Sequence, residues 1–159
     1  MSDRATAQLE IGGDITRERV GALATLLEKK VGRNMGDPAY IVQIEASAAA
    51  GECLFIEDDE VSHGSFGAEE TLVTLGLSYD ARWGSGYDFP EGGERYRPGM
   101  SEARSFATSF GGSVVSEEEA RRAIELIDLG SCAEARELLR IALGDDVAKL
   151  PPLRIVEKY

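Results

Sequence analysis

The residues best equipped for chemistry in this chain are carboxylates and a few aromatic side chains. Glu57-Asp58-Asp59-Glu60 sets four acids in a row, Glu69-Glu70 adds a pair, Asp80 follows, and Asp88 stands close to Trp83 and Tyr87. Such groups can hold a metal, move protons, or meet a basic surface. The tetrad lacks the alternating acids and closing Glu of an EF-hand loop, so it predicts no specific calcium site. His63 is the only histidine, which removes two-histidine metal centres and histidine relays. Cys53 and His63 could form a nucleophile pair, yet Cys53 belongs to the apolar run Cys53-Leu54-Phe55-Ile56, where a thiol is normally buried and inert. Nothing singles out a glycosidase pair among the 29 acids. The glycine pairs match neither a P-loop nor a dinucleotide fingerprint. No cofactor, metal or catalytic residue is expected.

Position sharpens the charge. The 159 residues hold 17 Lys+Arg against 29 Asp+Glu, for a net charge of −12. Between Arg33 and Arg82 lie ten acids, among them Asp37, Glu45 and Glu52, and no Lys or Arg; the other 19 acids nearly balance all the bases. A chain this acidic repels nucleic-acid phosphate and anionic lipid, and favours basic partners. Two readings compete for the tetrad: a solvated turn that protects a sheet edge, or a face that docks on a basic protein. Glu69 and Glu70 also suit the first turn of a helix. Arg121, Arg122, Arg136 and Arg140 are interspersed with Glu and read as solvated helix surface, while Arg95 and Arg97 flank Tyr96 on one strand face.

The elements that must position these groups follow from periodicity. Ala5, Ala7, Leu9 and Ile11 alternate as a half-buried strand, broken at Gly12-Gly13. Val20, Leu23, Leu26, Leu27 and Val31 recur at helical spacing after Thr16 and stop at Gly32. Tyr40 to Glu45 alternates and pairs, as a hairpin, with Cys53 to Ile56. The tetrad then falls on a turn at the sheet edge. Phe66 to Leu77 reads as a helix, Leu77–Trp83, Glu94–Arg97 and Arg104–Ser109 as strands, and Ser116/Glu119 and Ser131/Glu134 as capping boxes for two late helices. Pro151-Pro152 leaves an extended tail docking through Leu153, Ile155 and Tyr159. Strands and helices without regular alternation predict an α+β fold with a mainly antiparallel sheet: a sheet core over residues 1–110 and a helical extension over 111–159, packed on the same domain.

No signal-peptide core follows Met1 and no apolar run reaches membrane-spanning length, so a cytoplasmic protein is expected. Cys53 and Cys132 read as free thiols.

Ile11-Gly12-Gly13-Asp14-Ile15-Thr16-Arg17, Asp58-Asp59-Glu60, Gly64-Ser65-Phe66, Tyr79-Asp80, Gly86-Tyr87 and Tyr96-Arg97-Pro98-Gly99 together resemble small, mostly uncharacterised acidic proteins of bacteriophages and other mobile elements. The resemblance implies a context inside a bacterial host cell, where such proteins inhibit host defence, anti-CRISPR proteins that mimic DNA charge among them. Three functions are carried forward. The first is a non-enzymatic inhibitor whose face of Glu57, Asp58, Asp59, Glu60, Glu69, Glu70, Asp80, Trp83, Tyr87 and Asp88 docks on a basic, nucleic-acid-binding protein such as a CRISPR complex. The second is a small enzyme or ligand-binding domain using the Trp83, Tyr87 and His63 loop, which requires a concave site and a perturbed titrating group nearby. The third is a scaffold that dimerises through Leu138, Leu139 and Leu143.

Overall fold

A computed structural model of the chain describes residues 4–109 and 112–158. Along them run β1 (Arg4–Thr16), α1 (Arg17–Lys30), α2 (Tyr40–Ala50), β2 (Leu54–Ser62), α3 (Glu69–Thr74), β3 (Ser78–Trp83), β4 (Gly92–Tyr96), β5 (Arg104–Ser109), β6 (Gly112–Ser113), α4 (Glu117–Asp128), α5 (Cys132–Ala142) and β7 (Leu153–Val156). The architecture is α+β. The sheet order is β2-β1-β3-β4-β5-β6, antiparallel throughout, and β7 joins the far half of β1 in parallel. No helix among the described residues is long and apolar enough to cross a membrane.

β1 buries Ala5, Ala7, Leu9 and Ile11 as the alternation predicts, but it does not end at Gly12-Gly13. It continues to Thr16, with β2 and β3 on its first part and β7 on its last. The glycines serve a close approach instead. A Cβ on Gly12 would sit 1.9 Å from the Pro151 carbonyl oxygen, and the Gly13 amide donates to Pro152 at 3.1 Å. The C-terminal segment thus enters the sheet across two residues without side chains. Leu153 is fully buried there and Ile155 packs on the core, so the docked tail is a strand; Tyr159 lies outside the described residues.

The expected strand at Tyr40–Glu45 is the helix α2. Ile41 and Val42, the β-branched residues that suggested alternation, are exposed, and the side chains that bury are Tyr40 and Ile44, one helical turn apart. The following Ala-Ser-Ala-Ala-Ala run favours helix, and Gly51, in the left-handed region at φ 70°, closes it while Glu52 N–H donates to Ser47 C=O. The core forms where α1, α2 and α3 cover one face of the sheet, joining Leu9, Ile11, Leu23, Leu27, Ile44, Leu54, Leu72, Leu77 and Tyr79. Each such side chain contributes about 1.5–3 kcal/mol by leaving water.

α4 and α5 form a hairpin with a small cluster of their own, Ala123, Leu126 and Ala135 with Leu138 and Leu139 packed on it. Two of the three leucines expected at a dimer interface therefore serve the hairpin. The capping box at Ser116/Glu119 is complete, with both backbone amides satisfied at 2.9 and 3.2 Å. Ser131 makes no side-chain cap. Its amide closes α4 by donating to Leu126 at 2.8 Å, and with φ −90°, ψ 52° it lacks the extended backbone that a cap requires.

Candidate functional site

The structure separates the acids that the sequence groups together. Glu57, Asp58, Asp59 and Glu60 lie within β2 and not on a turn. β2 is the sheet's edge strand: β1 is its sole strand partner among the described residues. The run of acids breaks alternation, and the strand absorbs it in a bulge. Ala7 faces Asp58 whereas Ala5 faces Val61, which returns Val61 to the core side. Asp58 fastens the bulge by accepting from the Glu60 amide at 2.9 Å. The other three carboxylates are exposed and reach β1 sideways: Gln8 donates to Glu57 and Arg4 to Glu60. Two depressions open beside the edge. One of about 240 Å³ is lined by Arg33, Asn34, Asp37, Tyr40, Glu57 and Asp58 among others, the other of about 610 Å³ by Arg4 and the whole tetrad. Burial pushes the Tyr40 phenol above its ordinary value, and the charges of Glu28, Asp37 and Asp58 add to the effect.

Asp80 does not belong to that edge. It sits on the central strand β3 opposite Arg95, with Oδ1 2.7 Å from Arg97 Nη1 and Oδ2 3.7 Å from Arg95 Nε. Arg97 is 9% exposed and donates Nη1 to the carbonyls of Tyr79 and Tyr96 and Nε to that of Ala148. With both Nη1 hydrogens engaged, Asp80 Oδ1 receives charge but no aligned hydrogen bond. Arg95 lies 4.6 Å from the Phe106 ring centroid and donates to Gly144 C=O, and Arg104 pairs with Asp146 at 3.1 Å. Asp80 and three arginines thus clasp residues 144–148 to the sheet. Glu45 is likewise committed, to Arg17 at 3.0 Å.

Glu69, Glu70 and Trp83 meet in a third place, a cleft of about 390 Å³ lined also by His63, Ser65, Ala81 and Glu94. Its walls are fixed from several sides. Glu69 accepts from Ser65 Oγ at 3.2 Å and Phe66 N at 3.1 Å, Glu94 accepts from the Tyr79 hydroxyl, and Trp83 Nε1 donates to Pro90 C=O at 3.2 Å. The loop into α3 presses on the indole: Gly64 has φ +72°, and a Cβ there would lie 2.6 Å from Trp83 Cγ. Burial and the neighbouring Glu94 carboxylate push the Tyr79 phenol far above its ordinary value of 10.0. Among the acids lining the cleft, Glu94 is the one absent from the expected site, as is Tyr79, which donates to it from the neighbouring strand. Their signal is the strand pattern itself, since β3–β4 register places Glu94 beside Ala81 and Tyr96 beside Tyr79.

Tyr87 and Asp88 belong to none of these places. Tyr87 is 91% exposed and Asp88 is exposed on the β3–β4 loop, whose Phe89 ring lies 6.3 Å from His63. Cys53 donates to Pro151 C=O at 3.3 Å, and burial raises its thiol above the ordinary range, which opposes a thiolate nucleophile. Both cysteines are free. Among the described residues no group of three His, Cys, Asp or Glu is placed to hold one metal ion. No protein-family model, curated protein or solved structure matches the chain.

Proposed function

We propose that this protein is a non-enzymatic docking protein that presents the open edge of β2 to a basic surface of a protein partner. The observation that carries this reading is the placement of four consecutive carboxylates on an edge strand whose outer side has no strand partner among the described residues. An open edge ordinarily invites pairing with another copy; like charge on both copies opposes that and leaves the edge available to Lys and Arg. Charge-assisted hydrogen bonds from those side chains to Glu57, Asp59 and Glu60 supply the contact. In its most specific form the partner is a nucleic-acid-binding host defence protein, such as a CRISPR complex, and the carboxylates occupy the positions of phosphates. Asp80, Tyr87 and Asp88 are not part of this docking edge, and Glu69, Glu70 and Trp83 serve the separate cleft.

Capture from a bacterial lysate tests the reading. Wild-type protein is compared with Glu57→Lys/Asp59→Lys/Glu60→Lys, which spares Asp58 because it holds the bulge, and with Glu118→Lys/Asp128→Lys/Glu134→Lys, which makes the same charge change on α4 and α5. A partner retained by wild type and by the helix variant, lost with the edge variant and released at about 0.5 M salt supports the proposal. Equal retention by the edge variant refutes it.

A further inference from the structure

We infer that the protein associates with a second copy of itself through α4, the two α4 helices packing antiparallel about a two-fold axis. Among the described residues, α5 is the sole element that α4 packs closely against, and it covers Ala123 and Leu126. The apolar surface of α4 continues past that contact. Ile124 and Ile127 are 58% and 50% exposed, and with the partly exposed Ala120 they form a stripe at helical spacing. From Leu126 through Ala123, Ile127 and Ala120 to Ile124 the apolar arc spans about 160°, at roughly 100° per residue, which is wider than one neighbouring helix needs. A hairpin with so small a core gains its stability by packing that remaining stripe, as the halves of helical bundles do.

The stripe fits another α4. With two copies antiparallel and centred on Ile124, Ile127 of one meets Ala120 of the other, a large side chain against a small one, and the two-fold repeats the contact. The rim matches as well. Arg121 and Asp128 are seven residues apart and so stand on one flank of the stripe, about 10 Å from each other along the axis. The same pairing sets Arg121 of each copy level with Asp128 of the other. Asp128 makes no ion pair among the described residues. Arg121 gives Nε and Nη2 to Glu117, which leaves Nη1 to reach across. A surface complementary to itself in shape and charge is what an isologous contact requires. The net charge of −12 opposes association at long range, where salt screens it.

The inference is independent of the β2 edge: the hairpin is tied to β4 and β5 through Gly144 and Asp146, and β2 borders the other side of the sheet. Sedimentation velocity on the intact chain, from about 1 to about 200 µM at about 0.15 M salt, reads its mass. The expected result is a shift with concentration from 17.1 kDa to twice that mass, with a dissociation constant below about 100 µM. Ile124→Glu/Ile127→Glu, at two exposed positions, should stay monomeric throughout while its circular dichroism spectrum matches wild type. Arg121→Asp and Asp128→Arg should each raise the dissociation constant about tenfold, and the two together should return it to within about threefold of wild type. A loss that came only from breaking the Glu117–Arg121 pair within the helix would persist in the double variant. Wild type that remains monomeric at about 200 µM leaves the stripe to a different protein and overturns the inference. So does a dimer that survives the isoleucine replacements, or a double charge variant no tighter than the single ones.

Discussion

Replacing Asp80 by Asn distinguishes an acid that holds the fold together from one that faces solvent. The Asp80 side chain is 24% exposed, that of Arg97 10% and that of Arg95 15%. Arg97 keeps three carbonyl acceptors without Asp80, but the two guanidinium groups then face each other with no counter-charge between them. Breaking a buried pair costs about 3–5 kcal/mol. The partial exposure of Asp80 and the surviving hydrogen bonds reduce that to about 2–3 kcal/mol. At about 2–4 °C per kcal/mol for a chain of this size, Tm should fall by about 5–10 °C. Asp59→Asn, on the exposed edge, should change Tm by less than about 2 °C. Thermal unfolding followed by circular dichroism at neutral pH, with reversibility checked, measures both. The reasoning fails if Asp80→Asn melts within about 1 °C of wild type, or if Asp59→Asn is destabilised equally.

Other predictions concern local geometry. Ser116→Ala should cost about 1 kcal/mol, because it removes a formed capping box, while Ser131→Ala stays within about 0.5 kcal/mol. The Ser116 hydroxyl and amide hold the Glu119 carboxyl below its ordinary value of 4.5, so the Ser116→Ala deficit is present at neutral pH and shrinks as pH falls through the lowered value; urea unfolding at two pH values checks it. Gly64→Ala puts a Cβ against the indole at a positive φ, and should lower stability by about 2 kcal/mol and shift Trp83 emission; an unaltered spectrum and Tm would count against the packing described. Tyr79 has a raised folded pKa, so the stability it contributes is complete below pH 10 and is lost as pH rises above it. Unfolding free energy measured between pH 9 and about 11 should therefore decline less steeply in Tyr79→Phe than in wild type.

Where local pattern and burial agreed, the sequence was readable. The alternation of β1 and β5 and the helical spacing of α1 tie residue type to exposure, and the Ser116/Glu119 box is a purely local hydrogen-bond pattern. Tyr40–Glu45 has the look of a strand because exposed Ile41 and Val42 fill the gap between buried Tyr40 and Ile44. Gly12-Gly13 looks like a strand end because what it accommodates, the Pro151-Pro152 crossing, lies about 140 residues away in the chain, beyond any local rule. The acids show the same limit. One basic-free interval in the chain becomes part of an edge strand, a helix ion pair, a cleft wall and an internal clasp, and the tertiary pairing of its elements decides which. Asp80 and Glu57 are alike in type and setting along the chain, yet the first faces Arg95 and Arg97 and the second faces solvent.

The central claim is that the β2 edge makes a charged contact with a protein, and the most direct measurement is the affinity of the purified captured partner for wild type and for Glu57→Lys/Asp59→Lys/Glu60→Lys across a range of ionic strengths. Three exposed contacts at about 0.5–1 kcal/mol each, replaced by repulsion, predict a loss of about ten- to hundredfold at low salt. Wild-type affinity should fall steeply as salt rises, and that of the variant should hardly change. Equal affinities with equal salt dependence would contradict the account.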